Sequence, residues 1–282
     1  MVSIRSFVVK TSVILFLVVA IFGSAAYFSY QLFEAPKVIV KRAMGAPPPK
    51  PPPDPSLVEF DRCMKIKDSE NPDDARKALE EFVAAYPDSP RIDDARDALG
   101  DINMKLFFSD APDPSKQQYV IQKGDTISEI ERKTKVPADL IMRLNRIDDP
   151  TKLRIGEILN ITRPQFTLKI DHKSKTVVLM NDGKFFKQYK VGEWNAPPRK
   201  SSAPASAKVI EKSAWENNQR VPFGAKEYHS SGRWIATSAT GYTLYSDNVE
   251  GVPKPQGGLG MSGDDMQELS TLINRGTPIT IQ

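Results

Sequence analysis

Few side chains in this sequence can do covalent chemistry. The 282 residues include one cysteine, Cys63, and two histidines, His172 and His229. A thiol or hydroxyl becomes a nucleophile only beside a positioned base, so each candidate is read with its neighbours. Cys63 falls in a helical stretch. A single thiol excludes an internal disulfide framework and a multi-cysteine metal site; in an oxidising compartment it could pair with another chain, and otherwise it is a small apolar residue on a helix. His172 falls in a hairpin turn and His229 in a polar loop, both surface placements. Ser246 and Ser262 carry hydroxyls with no base in view, and Ser262 is placed to cap a helix. No metal-ligand spacing and no phosphate-binding glycine loop occurs, so no cofactor is expected. Lys and Arg are interleaved with Asp and Glu at a net charge of +4, which argues against a nucleic-acid partner.

The elements around these residues divide the chain into stretches of different texture. Residues 11–33 are uncharged and rich in Val, Ile, Leu, Phe and Ala, long enough to span a bilayer. A cleavable signal peptide competes, with Gly23-Ser24-Ala25-Ala26 as its cleavage site. The apolar run continues past that point to Leu32-Phe33, and Tyr27 and Tyr30 suit an interface, so an uncleaved anchor is expected. Residues 1–10 would then form a cytoplasmic tail. Residues 34–55 include a proline run that reads as a stiff polyproline II stalk. Residues 56–110 are helical, and Asp73-Asp74-Ala75-Arg76-Lys77-Ala78-Leu79 recurs as Asp93-Asp94-Ala95-Arg96-Asp97-Ala98-Leu99.

From Tyr119 to Ile161 the pattern is strand, helix, helix, strand. Gly124-Asp125 turns the chain, Thr126 is an N-cap, and Glu129 three residues on completes a capping box. A second helix starts near Pro137-Ala138 and places Leu140, Ile141 and Leu144 on one face. From Phe166 the texture is short strands, at 166–171, 176–180, 185–191, 207–211, 234–238, 243–245 and 277–281. Asn181-Asp182-Gly183 is a hairpin turn, and one late helix runs over 262–274. Residues 195–207 and 251–260 read as loops. The fold class is multidomain α+β.

Three stretches resemble known families. Tyr119, Gly124-Asp125-Thr126, Ile130, Val136, Leu140, Leu144-Asn145, Asp149-Pro150, Ile155-Gly156 and Leu159 follow the LysM pattern nearly in full, so residues 118–162 are identified as a LysM domain. The resemblance implies a βααβ module that binds N-acetylglucosamine-containing glycans, in bacteria peptidoglycan, between its first and last loops. The glycan-binding residues it implies are Gly124, Asp125, Thr126, Ile127, Asn145, Leu153, Arg154 and Ile155. Residues 56–110 resemble tetratricopeptide-like repeats of exported envelope proteins. With barely one and a half repeats this piece is expected to pack on a neighbouring domain or a protein partner.

Residues 165–282 resemble the L,D-transpeptidase (YkuD-type) catalytic domain, in Val221-Pro222-Phe223-Gly224-Ala225, in Trp234-Ile235-Ala236 and in the stretch from Met261-Ser262 to Thr277-Pro278-Ile279. That family's chemistry uses a Ser/Thr-His-Gly-Cys-x-Arg motif whose cysteine attacks a peptide carbonyl. Here Pro255-Gln256-Gly257-Gly258-Leu259-Gly260 stands in register with it. Gly258 replaces the cysteine, Gln256 the histidine and Gly260 the arginine. Tyr245 stands where an upstream histidine belongs, and Ala203-Pro204-Ala205-Ser206 blurs a further family loop. The resemblance therefore implies a transpeptidase-like fold without its nucleophile or base. The expectation is a single-pass inner-membrane protein with most of the chain outside the cytoplasm, a non-catalytic wall tether. An active remodelling enzyme with a non-standard site and a regulatory partner of other wall enzymes are the alternatives.

Overall fold

The computed structural model describes residues 4–34, 37, 54–68, 71–111, 115–199 and 201–282. The chain forms two compact units, 1–53 and 54–282. In the first, α1 (Ile4–Ser29) ends in a single π turn, Tyr30–Glu34. Residues Thr11–Glu34 are long and apolar enough to cross a membrane, and a signal sequence passes the same test. At 1.5 Å per residue they reach about 36 Å, more than a hydrocarbon core of about 30 Å. Their large apolar side chains are exposed all round, as in a helix whose apolar surface meets lipid. Most of the expected stalk, 34–55, lies outside the described residues. At its far end Asp54 and Pro55 are not stalk: Asp54 caps the next helix by accepting from the Ser56 N–H at 2.8 Å.

The second unit begins with three helices, α2 (Pro55–Lys67), α3 (Pro72–Ala85) and α4 (Ile92–Phe107). The two recurring segments supply Ala75, Ala78 and Leu79 on α3 and Ala95, Ala98 and Leu99 on α4 to one core, with Phe60, Cys63 and Phe82. Cys63 is fully buried. The small alanines let the helix axes approach, and the leucines fill the space between. One face of α4 lies on a strand of the last module, β5 (Lys184–Lys190). At Gly100 the approach is closest: a Cβ there would meet the Lys187 side chain at 2.9 Å. Asn103 donates to the Phe186 carbonyl at 2.8 Å, Gln188 donates to the Asp97 carboxylate at 2.7 Å, and Lys190 pairs with the same carboxylate. The helical piece thus covers a face of its neighbour.

Next come β1 (Lys116–Val120), α5 (Ile127–Thr134), α6 (Ala138–Leu144) and β2 (Ile158–Thr162), with β1 and β2 antiparallel. Thr126 caps α5 by accepting from the Glu129 N–H at 3.2 Å. The capping box is only half formed, because the Glu129 carboxylate turns to Arg132 instead. The last module carries β3 (Phe166–Asp171), β4 (Thr176–Asn181), β5, β6 (Glu193–Trp194), β7 (Ala205–Glu216), β8 (Gln219–Val221), β9 (Gly232–Thr237), β10 (Leu244–Ser246), β11 (Leu259–Met261), α7 (Gly263–Leu272) and β12 (Pro278–Ile281). Its strands follow the order β5-β4-β3-β12-β7-β9-β10-β11-β6, with β8 paired to β7.

Several strands go beyond the sequence expectation. The 195–207 loop ends at Ala205, where β7 begins, and the 251–260 loop runs into β11 at Leu259. The short strand expected at 207–211 is the start of a twelve-residue one, kinked by a bulge at Ile210 that shifts its register against β9. β8 forms because Asn217 and Asn218 both adopt positive φ, the geometry of a two-residue hairpin turn. The buried residues of the 116–162 unit and of the last module belong to one continuous core, in which Ile127, Ile130, Leu140 and Ile141 join Leu168, Leu244, Met266 and Leu269. Leu79 is fully buried in the separate helical core. Leu79→Ala should cost about 2–5 kcal/mol, read by denaturant unfolding of the full chain in detergent. A loss below about 1 kcal/mol would show that the helical core contributes little.

Candidate functional site

Asp125 is the hub of the first loop. One carboxylate oxygen accepts from the Tyr119 hydroxyl and the Gln122 N–H, both at 2.8 Å, and the other from Lys133 at 2.6 Å. Its side chain is 1% exposed. The Lys133 ammonium and the Gln122 N–H hold the carboxyl down to about 2, so it is a carboxylate at any physiological pH. Gly124 before it has φ +89°, a left-handed conformation open to glycine. In the last loop Asp149 accepts from the Thr151 hydroxyl and N–H, and these two bonds, with the Lys152 ammonium after them, hold it at about 2. Each loop is therefore pinned by one buried or half-buried carboxylate.

The two loops are joined at the backbone. The Ile121 N–H donates to the Glu157 carbonyl and the Gly156 N–H to the Ile121 carbonyl, both at 2.9 Å. Gly124, Thr126, Arg154 and Ile155 are exposed beside this junction, with Ile155 at 69%. Other residues implied by the family resemblance are engaged elsewhere. Ile127 is buried in the core, 1% exposed, and does not form part of the open rim. Leu153 is half-buried against the same core. The Asn145 amide donates to the Ile141 and Asn160 carbonyls and its oxygen accepts from the Asn160 N–H, clamping α6 to β2. Lys133, the partner that fixes Asp125, carried no sequence signal, because eight residues separate the two.

In the last module three of the four positions singled out by the family resemblance, Tyr245, Gly258 and Gly260, lie together. β10 and β11 are parallel neighbours that place Tyr245 beside Gly260, and β6 closes the other edge of β11. Gly258 is buried, with φ +143°. A Cβ there would stand 2.6 Å from the Thr243 carbonyl oxygen and 3.0 Å from Pro255. The backbone leaves no room for a side chain at the position expected to hold a nucleophile. At Gly260 a Cβ would meet Asp247, Glu193 and the Tyr245 hydroxyl, each at 3.0 Å. Gln256 is exposed.

A polar cluster fills the space around these glycines. Tyr245, 2% exposed, hydrogen-bonds Glu193, which also accepts from Lys254 at 2.6 Å and Asn195 at 2.8 Å. Lys254 reaches Asp247 at 3.4 Å. Burial, followed by the Glu193 carboxylate, pushes the Tyr245 phenol up to about 12, so it holds its proton at neutral pH. Glu193 is held low, chiefly by Lys254. Glu193 and Lys254 lie 61 positions apart, which is why the sequence did not reveal the cluster. His172 differs from its expected surface placement. It is half-buried, its Nε2 lies 2.8 Å from the Tyr242 hydroxyl, and its ring packs edge-on to Trp194 at 4.9 Å. His229 is exposed, as expected. Among the described residues no group of His, Cys, Asp or Glu is arranged to hold a metal ion.

The open loops of the 116–162 unit lie within a recognised family. Residues 119–162 match the LysM domain. No curated protein matches the chain. Among solved structures, it is similar to an L,D-transpeptidase from Mycobacterium smegmatis at 13% identity and a TM-score of 0.29, over 46% of this chain and 64% of that one. It is also similar to one from Enterococcus faecium at 15% and 0.28, over 42% and 49%, and to one from Stackebrandtia nassauensis at 14% and 0.30, over 73% and 90%. The chain thus spans less than two thirds of the first two.

Two predictions follow from the geometry of the LysM loop and of Gly258. The Asp125 carboxyl lies below its unfolded value of 3.8, so its contribution to stability is present above pH 4 and is lost as the pH falls through about 2. Asp125→Asn should be less stable than wild type at pH 7, with the gap narrowing between about pH 4 and pH 2; a gap independent of pH would contradict the role of the charge. Gly258→Ala combines a strained φ with a backbone clash and should cost about 1–3 kcal/mol, seen as a fall in thermal midpoint. An unchanged midpoint would show that the strand can open.

Proposed function

We propose that this chain binds peptidoglycan through its LysM domain, as a single-pass, membrane-anchored tether on the outer side of the cytoplasmic membrane, and that its last module is a transpeptidase-like domain without transpeptidase chemistry. The observation that carries the glycan reading is the pairing of the two LysM loops. The Ile121–Gly156–Glu157 hydrogen bonds and the Asp125 hub fix Gly124, Thr126, Arg154 and Ile155 on one exposed rim. A rim of backbone amides, a hydroxyl, a guanidinium and an aliphatic side chain is what an N-acetylated sugar needs: donors and acceptors for its hydroxyls and amide, and an apolar contact for its methyl group. Rigid loops lower the ordering cost of binding.

The reading of the last module rests on Gly258 and its surroundings. Acyl transfer through a thiolate requires a side chain at the attacking position and a base beside it. Gly258 has neither the side chain nor the space for one, and the groups around it, Tyr245, Glu193 and Lys254, are bonded to one another. The apolar α1 supports the anchor, and the helical piece that packs on β5 stands between the anchor and the wall-binding modules in the chain. Peptidoglycan, the inner membrane and any protein partner of residues 56–110 are the partners this reading implies.

Co-sedimentation with purified sacculi tests it, using the full chain in detergent. The wild type should pellet, and Ile155→Asp should reduce the bound fraction at least tenfold, because an anion on the rim faces the apolar contact while the core is untouched. Incubation with sacculi should yield no exchanged or cleaved cross-links. Failure of the wild type to pellet would overturn the glycan reading, and new cross-link products would overturn the non-catalytic one.

A further inference from the structure

Arg233 sits on β9 with 1% of its surface exposed. Its backbone N–H donates to the Ser246 hydroxyl at 2.8 Å, and its Nη1 donates to the Ser231 carbonyl at 3.3 Å and hydroxyl at 3.0 Å. The Tyr228 ring, in the short turn Lys226–His229, covers one face of the guanidinium with its centre 4.1 Å from the guanidinium carbon. The remaining edge is bare. Its Nε and Nη2 are out of contact with solvent and donate to nothing among the described residues. Native structures seldom leave buried donors unpaired, and a buried charge is ordinarily answered by an opposite one.

No carboxylate among the described residues hydrogen-bonds this edge. Asp139 of α6 acts on Arg233 through space, but one of its oxygens accepts from the Tyr228 hydroxyl at 3.1 Å and lies 3.8 Å from the Lys212 ammonium. Lys212 brings a second cation to the same place. β7 and β9 pair Ala214 with Arg233 and Lys212 with Ile235, so Lys212 and Arg233 are diagonal neighbours on one face of the sheet. The Arg233 charge there disfavours the Lys212 charge.

An enclosed edge made only of donors can hold a water molecule or a small anion. A water that accepts from Nε and Nη2 must place its own hydrogens on acceptors, and those beside it are engaged. The Ser231 carbonyl and hydroxyl take Nη1, and the Tyr228 carbonyl takes the Ser231 hydroxyl at 2.8 Å. An anion needs donors alone, which the Nε–Nη2 edge supplies as two parallel N–H bonds. It would also screen Arg233 from Lys212. Because these atoms have no opening to solvent, the occupant must be small.

We propose that the Nε–Nη2 edge of Arg233 is a binding site for a single halide-sized anion, such as chloride, enclosed where the LysM domain meets the last module. The anion joins the group formed by Asp139, Tyr228 and Lys212, so the firmness with which the two modules hold together depends on it. The site is independent of the glycan reading and of the loops that carry it.

Thermal unfolding of the full chain in detergent tests the site, with sodium chloride exchanged for sodium gluconate at constant ionic strength so that screening is fixed. The wild-type midpoint should rise with chloride, by roughly 2–4 °C at a concentration about five times the dissociation constant, and bromide should replace chloride. Arg233→Met keeps an apolar stem and removes the donor edge, so its midpoint should not respond to the choice of anion. In crystals of the full chain soaked in bromide, an anomalous peak should lie within hydrogen-bond range of Nε and Nη2. That map decides the matter if Arg233→Met does not fold. A wild-type midpoint indifferent to the anion, an equal response in Arg233→Met, or a bromide map with no peak at Arg233 overturns the site. Ordered water found there in place of the peak overturns it as well.

Discussion

Asp139 is the charge on which the union of the LysM domain and the last module depends. It sits in the first turn of α6, is 9% exposed, and accepts from the Tyr228 hydroxyl at 3.1 Å with the Lys212 ammonium at 3.8 Å. Lys212 donates in turn to the Ser270 carbonyl at 2.6 Å. Arg233, 1% exposed, stacks on the Tyr228 ring at 4.1 Å. Burial pulls both Lys212 and Arg233 downward, and Asp139 opposes that pull. Asp139, with Glu131 of α5 beside it, thus faces the buried cations of the other module, pairing with Lys212 directly. Loss of one member of such a group leaves an uncompensated buried charge, at a cost of about 3–5 kcal/mol. Together with the shared hydrophobic core, this cluster makes the LysM domain part of a larger body. Deleting it would strand Lys212 and Arg233 and expose the core beneath α6.

That union gives the two modules different fates. The LysM loops face outward, pinned by Asp125 and Asp149 and left open at their rim. The corresponding region of the last module is sealed: β6 closes the edge of β11, Gly258 is pressed against Thr243, and the Tyr245–Glu193–Lys254 cluster fills the remaining space. A methyl group at 258 would meet the Thr243 carbonyl oxygen, and one at 260 would meet the side chains of Asp247, Glu193 and Tyr245.

Local patterns made most of the elements legible in the sequence. The Thr126 cap, the helix starting at Ala138, the Asp182-Gly183 turn and the Ser262 cap all act within four residues, so one stretch of sequence contains both partners. The α+β class and the LysM domain followed from such stretches. What escaped was long-range. β6 and β11 are two or three residues long and form by pairing with each other, and β11 also with β10; the sequence reading assigned no element to 193–194 and placed Leu259 and Gly260 in a loop. The Lys133–Asp125 and Glu193–Lys254 pairs, and the aromatic packing of His172 on Trp194 and Tyr242, depend on residues far apart in the chain. β8 is the exception, since Asn217-Asn218 is a local turn signal that periodicity alone passes over.

The most direct test of the account is to map, by amide chemical-shift changes, where an N-acetylglucosamine oligomer binds the full chain in detergent micelles. The account predicts changes centred on Gly124, Thr126, Arg154 and Ile155, with residues 245–260 unmoved. Changes centred on 245–260, with the LysM rim silent, would contradict it.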